Sequence, residues 1–524
     1  MRPVRAGRER SRPGKPHLRG VSDMNLSRVN RIRTGVLIAA MCASVGTASA
    51  FDTGPHFDIT EDVLKSEGFS KNAISTVKCG NFFVDFYEFI GNKTIQKALD
   101  GDCSAKVAAV MKLGDDQHFD ELQSTTEVAH KWDAMLEATK ATAEAKAKSG
   151  DILGLMALLG MSLHNVQDFY AHSNWVEDAP SGPGIGKGAL AKYGDHPTWL
   201  SVDRAEREKL DVYTRKDSIG RKHGDWDTPL PAMNKDWIGR PKHIDAYICA
   251  YFASRQWVRL YQSWVNDPAV WTKMQQFAKT SFNPGRDLDY CTKISFYGGH
   301  WNGNGGPTGL DALSSRTAAT SPDLLIGAVL GFMGGRCLTK NPSALRLEAE
   351  RLLLSWGKMP YHGPVDPTLP SAAPENLQFV QLQVHKIEAT HADDGFGGGD
   401  MDWYSEATIA GQEFLSCLID EHDNFTFTKP YAPWTMIKAL PATRNTVGMY
   451  FKLRELDYSD DDTVDVNPKS GSYGLLLNYA TASGTFSGDV SGSAKTPITV
   501  EGKGDCDCAR ISMSVNRTLA SCLK

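Results

Sequence analysis

His164, Asp168 and His172 stand at i, i+4 and i+8 in the segment Ser162–Glu177, SLHNVQDFYAHSNWVE. On an α-helix each step of four residues drifts by only about 40°, so the three side chains share one stripe. Imidazole nitrogen and carboxylate oxygen are both zinc ligands. The stripe continues an apolar run, Ile152–Leu163. It therefore faces inward, where a polar group without a partner is costly. A solvated face, or His–Asp pairs capping buried helices, would be the plainer reading. Three ligands in register on an apolar helix favour a metal.

Two upstream clusters carry the same residue types. Gly54-Pro-His56-Phe-Asp58-Ile-Thr60 offers a histidine and a carboxylate, although Asp58 or Thr60 could equally cap a helix over Glu61–Lys65. Gly114-Asp115-Asp116-Gln117-His118-Phe119-Asp120 offers a bridging carboxylate and an imidazole, or an acidic helix start. Downstream, His223-Gly-Asp225 and His243-Ile-Asp245 are isolated pairs, and the second opens the helical pattern Ile244–Val265.

With these motifs, residues from about Phe51 to Tyr261 resemble the bacterial zinc-dependent phospholipase C and Het-C superfamily, a three-zinc phosphodiesterase fold. The match is firmest in LHNVQDFYAHSNWVE, while GPHFDIT and DDQHFD match two upstream motifs. The resemblance implies a mainly α-helical catalytic domain holding two to three Zn²⁺ ions. It implies hydrolysis of the phosphodiester of phosphatidylcholine-like phospholipids by a metal-activated water. Carried over by position, the metal ligands are the Phe51 amino group, His56, Asp116, His118, His164, Asp168, His172 and His243. Asp115 is the alternative bridging carboxylate, and Asp116 paired with His130 is an alternative spacing. The glutamate expected four residues after His243 is Tyr247 here. Asp58, Asp115 or Asp116 would orient or deprotonate the water. Phe119, Tyr170 and Trp175, with Phe169, could cage a quaternary ammonium headgroup, or be core aromatics.

The elements around these motifs read in two textures. Glu127–Lys148, Asp151–Ala171, Ile244–Val265 and Ser343–Trp356 are periodic helices. Gly-rich loops, Ser181–Gly188 and Gly298–Gly309, interrupt them. Residues 363–377 hold four prolines and read as a linker. Beyond it, Phe379–Ile387, Trp434–Ile437, Val447–Leu453 and Tyr473–Tyr479 are short strand patterns. The fold class expected is therefore multidomain: a helical catalytic domain over 51–362, the linker, and an all-β sandwich over 378–524. That sandwich looks like a C2-type calcium-dependent membrane-binding domain. Asp400, Asp402, Asp457, Asp460 and Asp462 are its candidate Ca²⁺ ligands, or solvated loop acids.

Composition bounds the function. The chain has 524 residues, is 41% hydrophobic and carries a net charge of −5. A disordered or low-complexity protein is excluded. Residues 1–50 carry a local +8, leaving −13 for the rest. An acidic body argues against nucleic acid as a partner, because phosphate binding needs cationic surface. Arg28, Arg31 and Arg33 precede the apolar run of Thr34–Ala50, which ends in Ala48-Ser49-Ala50. This reads as a signal peptide starting at Met24 and cleaved after Ala50, hence export to the periplasm or beyond. An exported chain can hold disulfides; sequence proximity suggests Cys79–Cys103 and Cys291–Cys337. The expected partner is a phospholipid surface, with no transmembrane segment. Two rivals stand: a single-strand nuclease of the same three-zinc fold, and a non-enzymatic Het-C-like interaction or toxin protein.

Overall fold

The computed structural model describes residues 53–90, 113, 117–178, 182–222, 233–236, 238–278, 344–370, 374–391, 401–416, 419, 422–427, 434–455, 462–469, 471–503 and 508–523. The helices are α1 (Thr53–Ser66), α2 (Lys71–Ile90), α3 (Thr125–Ser149), α4 (Ile152–His172), α5 (Arg204–Arg207), α6 (His243–Val265), α7 (Pro268–Gln275) and α8 (Ala344–Trp356). The four long helical patterns read from the sequence appear as α3, α4, α6 and α8, each within two residues of the expected ends.

Local chemistry explains the ends. Ser124 Oγ accepts from Glu127 N, and Glu127 Oε2 accepts from Gln123 N, a reciprocal cap that starts α3. Gly150, at φ 70°, ends it in the left-handed conformation. Asp151 Oδ1 then accepts from Gly154 N and starts α4. Every residue of α4 from Gly154 to His172 is buried. A helix apolar nearly all round has to sit inside the bundle, and α4 packs on α2, α3, α6 and α8. One expectation fails at the first helix. It begins at Thr53, so Asp58 and Thr60 lie in its interior and cap nothing.

The C-terminal part is an antiparallel β-sandwich. One sheet runs β11 (Ile498–Glu501), β12 (Cys508–Cys522), β1 (Glu375–His391), β4 (Asn424–Thr426), with β5 (Trp434–Pro441) also on β1. The other runs β10 (Gly492–Ser493), β9 (Thr485–Gly488), β8 (Leu475–Ala480), β6 (Thr446–Glu455), β2 (Trp403–Ile409), β3 (Gln412–Leu415), with β7 (Asp462–Val464) on β6. In β6, Val447, Met449, Phe451 and Leu453 are buried and alternate with more exposed residues, the period-2 pattern of a half-buried strand. The expected linker is shorter than read: Glu375, Asn376 and Leu377 already belong to β1.

The sandwich docks on the helices through buried polar and apolar contacts. Asp62 of α1 accepts from Lys438 Nζ and, at 2.9 Å, from Ala439 N of β5. Arg255 and Arg259 of α6 both bridge Glu67 to Glu375. Tyr251 and Phe252 stack edge-on against Phe379. Among the described residues, no helix is long and apolar enough to cross a membrane. Of the cysteines, Cys79, Cys249, Cys508 and Cys522 are described and buried. Cys103, Cys291 and Cys337, needed for both suggested disulfides, lie outside the described residues.

Candidate metal centre

Three helices and one short segment meet at Asp168. His56 comes from α1, Asp85 from α2, and His164 and Asp168 from α4. His118 comes from the irregular stretch before α3. All five side chains are buried. His56 Nε2 lies 3.0 Å from Asp168 Oδ1. His118 Nδ1 and His164 Nε2 lie 2.9 and 3.0 Å from Asp168 Oδ2. His164 Nε2 also lies 3.2 Å from His118 Nδ1 and 3.5 Å from Asp85 Oδ1. The His56 and His164 rings stack with centroids 4.2 Å apart. Two sets of possible metal donors result, His56–Asp85–His164 and His118–His164–Asp168, sharing His164.

An outer ring of amides fixes the tautomers. Gln167 Nε2 donates to Thr60 Oγ1 and Ser254 Oγ, which turns Gln167 Oε1 toward His56 Nδ1 at 2.6 Å. Asn81 Nδ2 donates to Gln167 Oε1 and Thr60 Oγ1, which turns Asn81 Oδ1 toward His164 Nδ1 at 3.3 Å. Each Nδ1 therefore carries the proton, and in the neutral ring each Nε2 is a bare lone pair. Those lone pairs face carboxylate oxygens at 3.0 Å. Acceptor against acceptor at that distance is repulsive unless a proton or a cation lies between. Oxygen- or backbone-anchored Nδ1–H with Nε2 turned inward is also how metal-ligating histidines are held. The separations of 3.0–3.5 Å match the roughly 3.4 Å edge of a tetrahedron with metal–ligand bonds of about 2.0–2.1 Å. The residues present fit a divalent metal.

Without a metal, the same geometry has to share protons. Burial works against a charged His56, but Asp168 outweighs it and raises its pKa. Burial lowers His164, and Asp168 offsets this only in part. Burial would raise Asp168, yet His164 and His56 hold it well below the usual carboxylate range.

A second group adjoins the first. His118 O accepts from His172 Nδ1 at 2.7 Å, and Asp120 Oδ1 lies 2.8 Å from the same nitrogen. His172 Nε2 faces Asp236 Oδ1 at 3.4 Å. Burial opposes a charged His172, but Asp120 and Asp236 raise it well above an ordinary histidine. Phe119 between the two groups has φ 54°, a left-handed conformation that costs a β-carbon residue about 1 kcal/mol or more. That twist sends His118 to Asp168 and Asp120 to His172. His243 sits close by, with Nδ1 bound to Lys235 O at 2.6 Å. Burial lowers its pKa to about 4, so the imidazole stays neutral.

These directions fix a pH dependence. His56 and His172 have raised pKa values, so in metal-free protein their ion pairs contribute fully below about pH 6.5, the unfolded value. That contribution is lost as pH rises through the folded values. His164 and His243 are lowered, so their effect falls below pH 6.5. Chelated protein should therefore lose melting temperature between pH 6.5 and 9. A metal requires neutral imidazoles and releases their protons on binding, so metal-loaded protein should not follow that trend. Thermal melts of both forms across this range check it. Parallel curves would remove the shared-proton account.

The structure brings together His56, His118, His164 and Asp168, and sets His172 and His243 beside them. Asp120 belongs to the third sequence cluster without an assigned ligand role, while Asp85 and Asp236 carry no ligand reading in the sequence. Asp85 had a faint signal, since Asn81 and Asp85 form an i, i+4 polar pair on the apolar helix α2. Phe51, Asp115, Asp116, His223 and Asp225 lie outside the described residues. Asp58 is not in the cluster. Two residues from His56 on a helix, it points about 200° away, and it lines a cleft with Glu61 and Lys78. His130 stacks on Tyr361 at 3.8 Å, away from the centre. The proposed headgroup cage is a correction too. Phe119, Tyr170 and Trp175 are sealed in an aromatic core with Trp132, Phe169 and Trp199. Trp175 Nε1 donates to Pro197 O, and Tyr170 Oη accepts from Trp199 N. Of the calcium candidates, Asp402 and Asp462 flank the Glu455 end of the second sheet. Asp400, Asp457 and Asp460 lie outside the described residues.

Residues 84–184 match the model of the VWA7 N-terminal domain family. The match spans most of the centre's motifs but a minor part of the chain. No curated protein is significantly similar in sequence. Among solved structures, a C2 domain is 11% identical over 27% of this chain and 98% of its own, with a TM-score of 0.18. Human GIVD cytosolic phospholipase A2 is 7% identical over 28% of this chain, at a TM-score of 0.19. This chain spans only 17% of that enzyme's length. Clostridium perfringens alpha-toxin is 12% identical over 90% of this chain and 99% of its own, at a TM-score of 0.11. Scores this low carry no mechanistic argument.

Proposed function

We propose that the chain is an exported zinc-dependent phosphodiesterase acting on phospholipids, a phospholipase C in type. The observation that carries this is the convergence on Asp168 of three histidines, two with Nδ1 anchored to oriented amides. A nitrogen-rich set with carboxylates suits zinc better than magnesium or calcium. When bound, zinc supplies a water acidified toward neutrality and neutralises phosphoryl charge. Asp168 fixes the mutual positions of His56, His118 and His164. Gln167 and Asn81 hold the rings in one tautomer. Asp85 adds a carboxylate that would lower the net charge of the loaded centre. The acidic body favours a lipid over a nucleic-acid phosphodiester, and the sandwich, with calcium at its Asp402–Asp462 end, would meet the membrane surface.

One observation favours the second reading, a metal centre kept for stability in an interaction protein. His56, His164 and Asp168 are wholly buried, as in closed structural zinc sites. One preparation of the mature chain, assayed for zinc and against phosphatidylcholine vesicles and single-stranded DNA, separates the readings. Two to three zinc with phosphocholine release is the expected result. DNA cleavage alone would make it a nuclease. Full zinc with neither activity would leave the structural centre. Zinc near zero in unchelated protein would remove both.

A further inference from the structure

Met233-Asn234-Lys235-Asp236 is an irregular segment whose four residues are all buried. Irregular backbone inside a protein needs partners for its polar groups, and Lys235 is where this segment is tied down. Its backbone N–H donates to Ala171 O at 3.0 Å, and its Nζ donates to Ser173 O at 2.8 Å. Those two carbonyls flank His172, the last residue of α4. The Lys235 carbonyl accepts from His243 Nδ1 at 2.6 Å, at the start of α6. The next residue, Asp236, places Oδ1 3.4 Å from His172 Nε2. Lys235 thus grips the end of α4 on both sides of one histidine, fixes a ring nitrogen of another and sets the direction of a carboxylate.

A lysine is a costly choice here. It is 1% exposed, and burying an ammonium is unfavourable unless it is paired and hydrogen-bonded. Nζ also donates to Met233 O at 2.7 Å and lies 3.4 Å from Glu177 Oε1. The donors of the ammonium are therefore spent inside the protein and not on a substrate. A carbonyl at a helix end can be satisfied by water or a neutral side chain. The ammonium adds a fixed span from the end of α4 to its own segment and to Glu177.

We propose that Lys235 is a positioning residue: its ammonium locks the 233–236 segment onto the end of α4 and so holds His172, Asp236 and His243 in register as a second metal-binding group. The metal in this proposal rests on the zinc phosphodiesterase reading, while the positioning is a property of the metal-free fold. Partners that orient metal ligands in this way typically control about 10–100-fold in metal affinity.

The test compares Lys235→Met, which keeps the apolar stem and removes the ammonium, with Lys146→Met. Lys146 is a buried lysine paired with Asp151 and Glu348, and serves as the structural control. In the chelated mature chain, NMR of ¹⁵N-labelled histidine rings should show His172 and His243 shifted by Lys235→Met, with His56 and His164 unmoved. Lys146→Met should move none of the four. Glu177→Gln loosens the same ammonium from a partly exposed position and should move the same two rings by less, so the test does not depend on Lys235→Met folding. After zinc loading, Lys235→Met should yield zinc to a competing chelator at least ten-fold more readily than wild type, and Lys146→Met should match wild type. Unmoved His172 and His243 signals, or equal zinc loss in the two lysine variants, would overturn the proposal. The expected ring shifts in a protein that takes up no zinc would overturn the phosphodiesterase reading and leave the positioning role standing.

Discussion

Asp168→Ala should empty the metal centre, with zinc falling to less than a tenth of the wild-type content and hydrolysis falling with it. Asp168 touches all three of His56, His118 and His164. Removing it takes a ligand from one donor set and the geometric hub from the other. The cost extends to the fold. Losing one member of a buried charged pair typically costs about 3–5 kcal/mol, mostly because the partner is left buried alone. In a domain of 150–250 residues that is about 2–4 °C per kcal/mol, so chelated Asp168→Ala should melt roughly 6–20 °C below chelated wild type. Asp168→Asn keeps the shape and an acceptor oxygen. It should recover much of the melting temperature and little of the zinc. Elemental analysis and thermal melts on the three proteins decide it. A variant at position 168 with full zinc would show that the centre is organised around some other residue.

The contrast between Asp168 and Asp85 shows what the sequence could reveal. His164 and Asp168 share a helix at i, i+4, so their convergence needs only helical geometry. His56 and His118 were visible as polar residues in compact motifs. Asp85 has no histidine on its own helix. Only the packing of α2 on α4 brings it within 3.5 Å of His164, and no one-dimensional pattern encodes that crossing. Asp236 lies in an irregular segment with no period to betray its direction. Asp58 failed for the opposite reason. It is near His56 in sequence, but an odd half-turn of helix separates the faces. In the sandwich, β6 and β8 alternate cleanly and were legible. The fifteen-residue β12 was not read, because serine, asparagine and arginine dilute its apolar alternation at Ile511, Met513 and Val515. Its long pairing with β1 supplies the stabilisation that its local pattern does not advertise.

The α2–α4 crossing that delivers Asp85 rests on two glycines, and the second large effect is expected there. A Cβ placed on Gly160 would lie 2.3 Å from Val77 O and 2.7 Å from Asn81 N. Both are backbone atoms of α2, so neither can swing aside. Gly80 opposes it, its own Cβ position lying 3.1 Å from Ala157 O. On propensity alone, Gly160→Ala in a helix interior should stabilise by about 1 kcal/mol. The clash reverses the sign. Separating two packed helices by even a few tenths of an ångström strains a close-packed core, and overpacking of this kind costs about 1–3 kcal/mol. Gly160→Ala should therefore be net destabilised by up to about 2 kcal/mol, and Gly160→Leu should not yield folded protein. The damage should also reach the centre. Asn81 and Asp85 lie on α2 just beyond the crossing, and His164 and Asp168 occupy the next turns of α4. Pushing α2 outward lengthens both Asn81–His164 and Asp85–His164. The zinc of Gly160→Ala should accordingly be lost to a competing chelator at least ten-fold more readily than that of wild type. Gly150→Ala is the control. Nothing lies within 4 Å of its Cβ position, so it should cost only the left-handed φ of the α3 cap, about 1 kcal/mol, and leave zinc affinity alone. Equal losses of zinc in the two variants would mean that the centre responds to stability in general. A loss confined to Gly160→Ala would mean that the glycine crossing sets the ligand geometry.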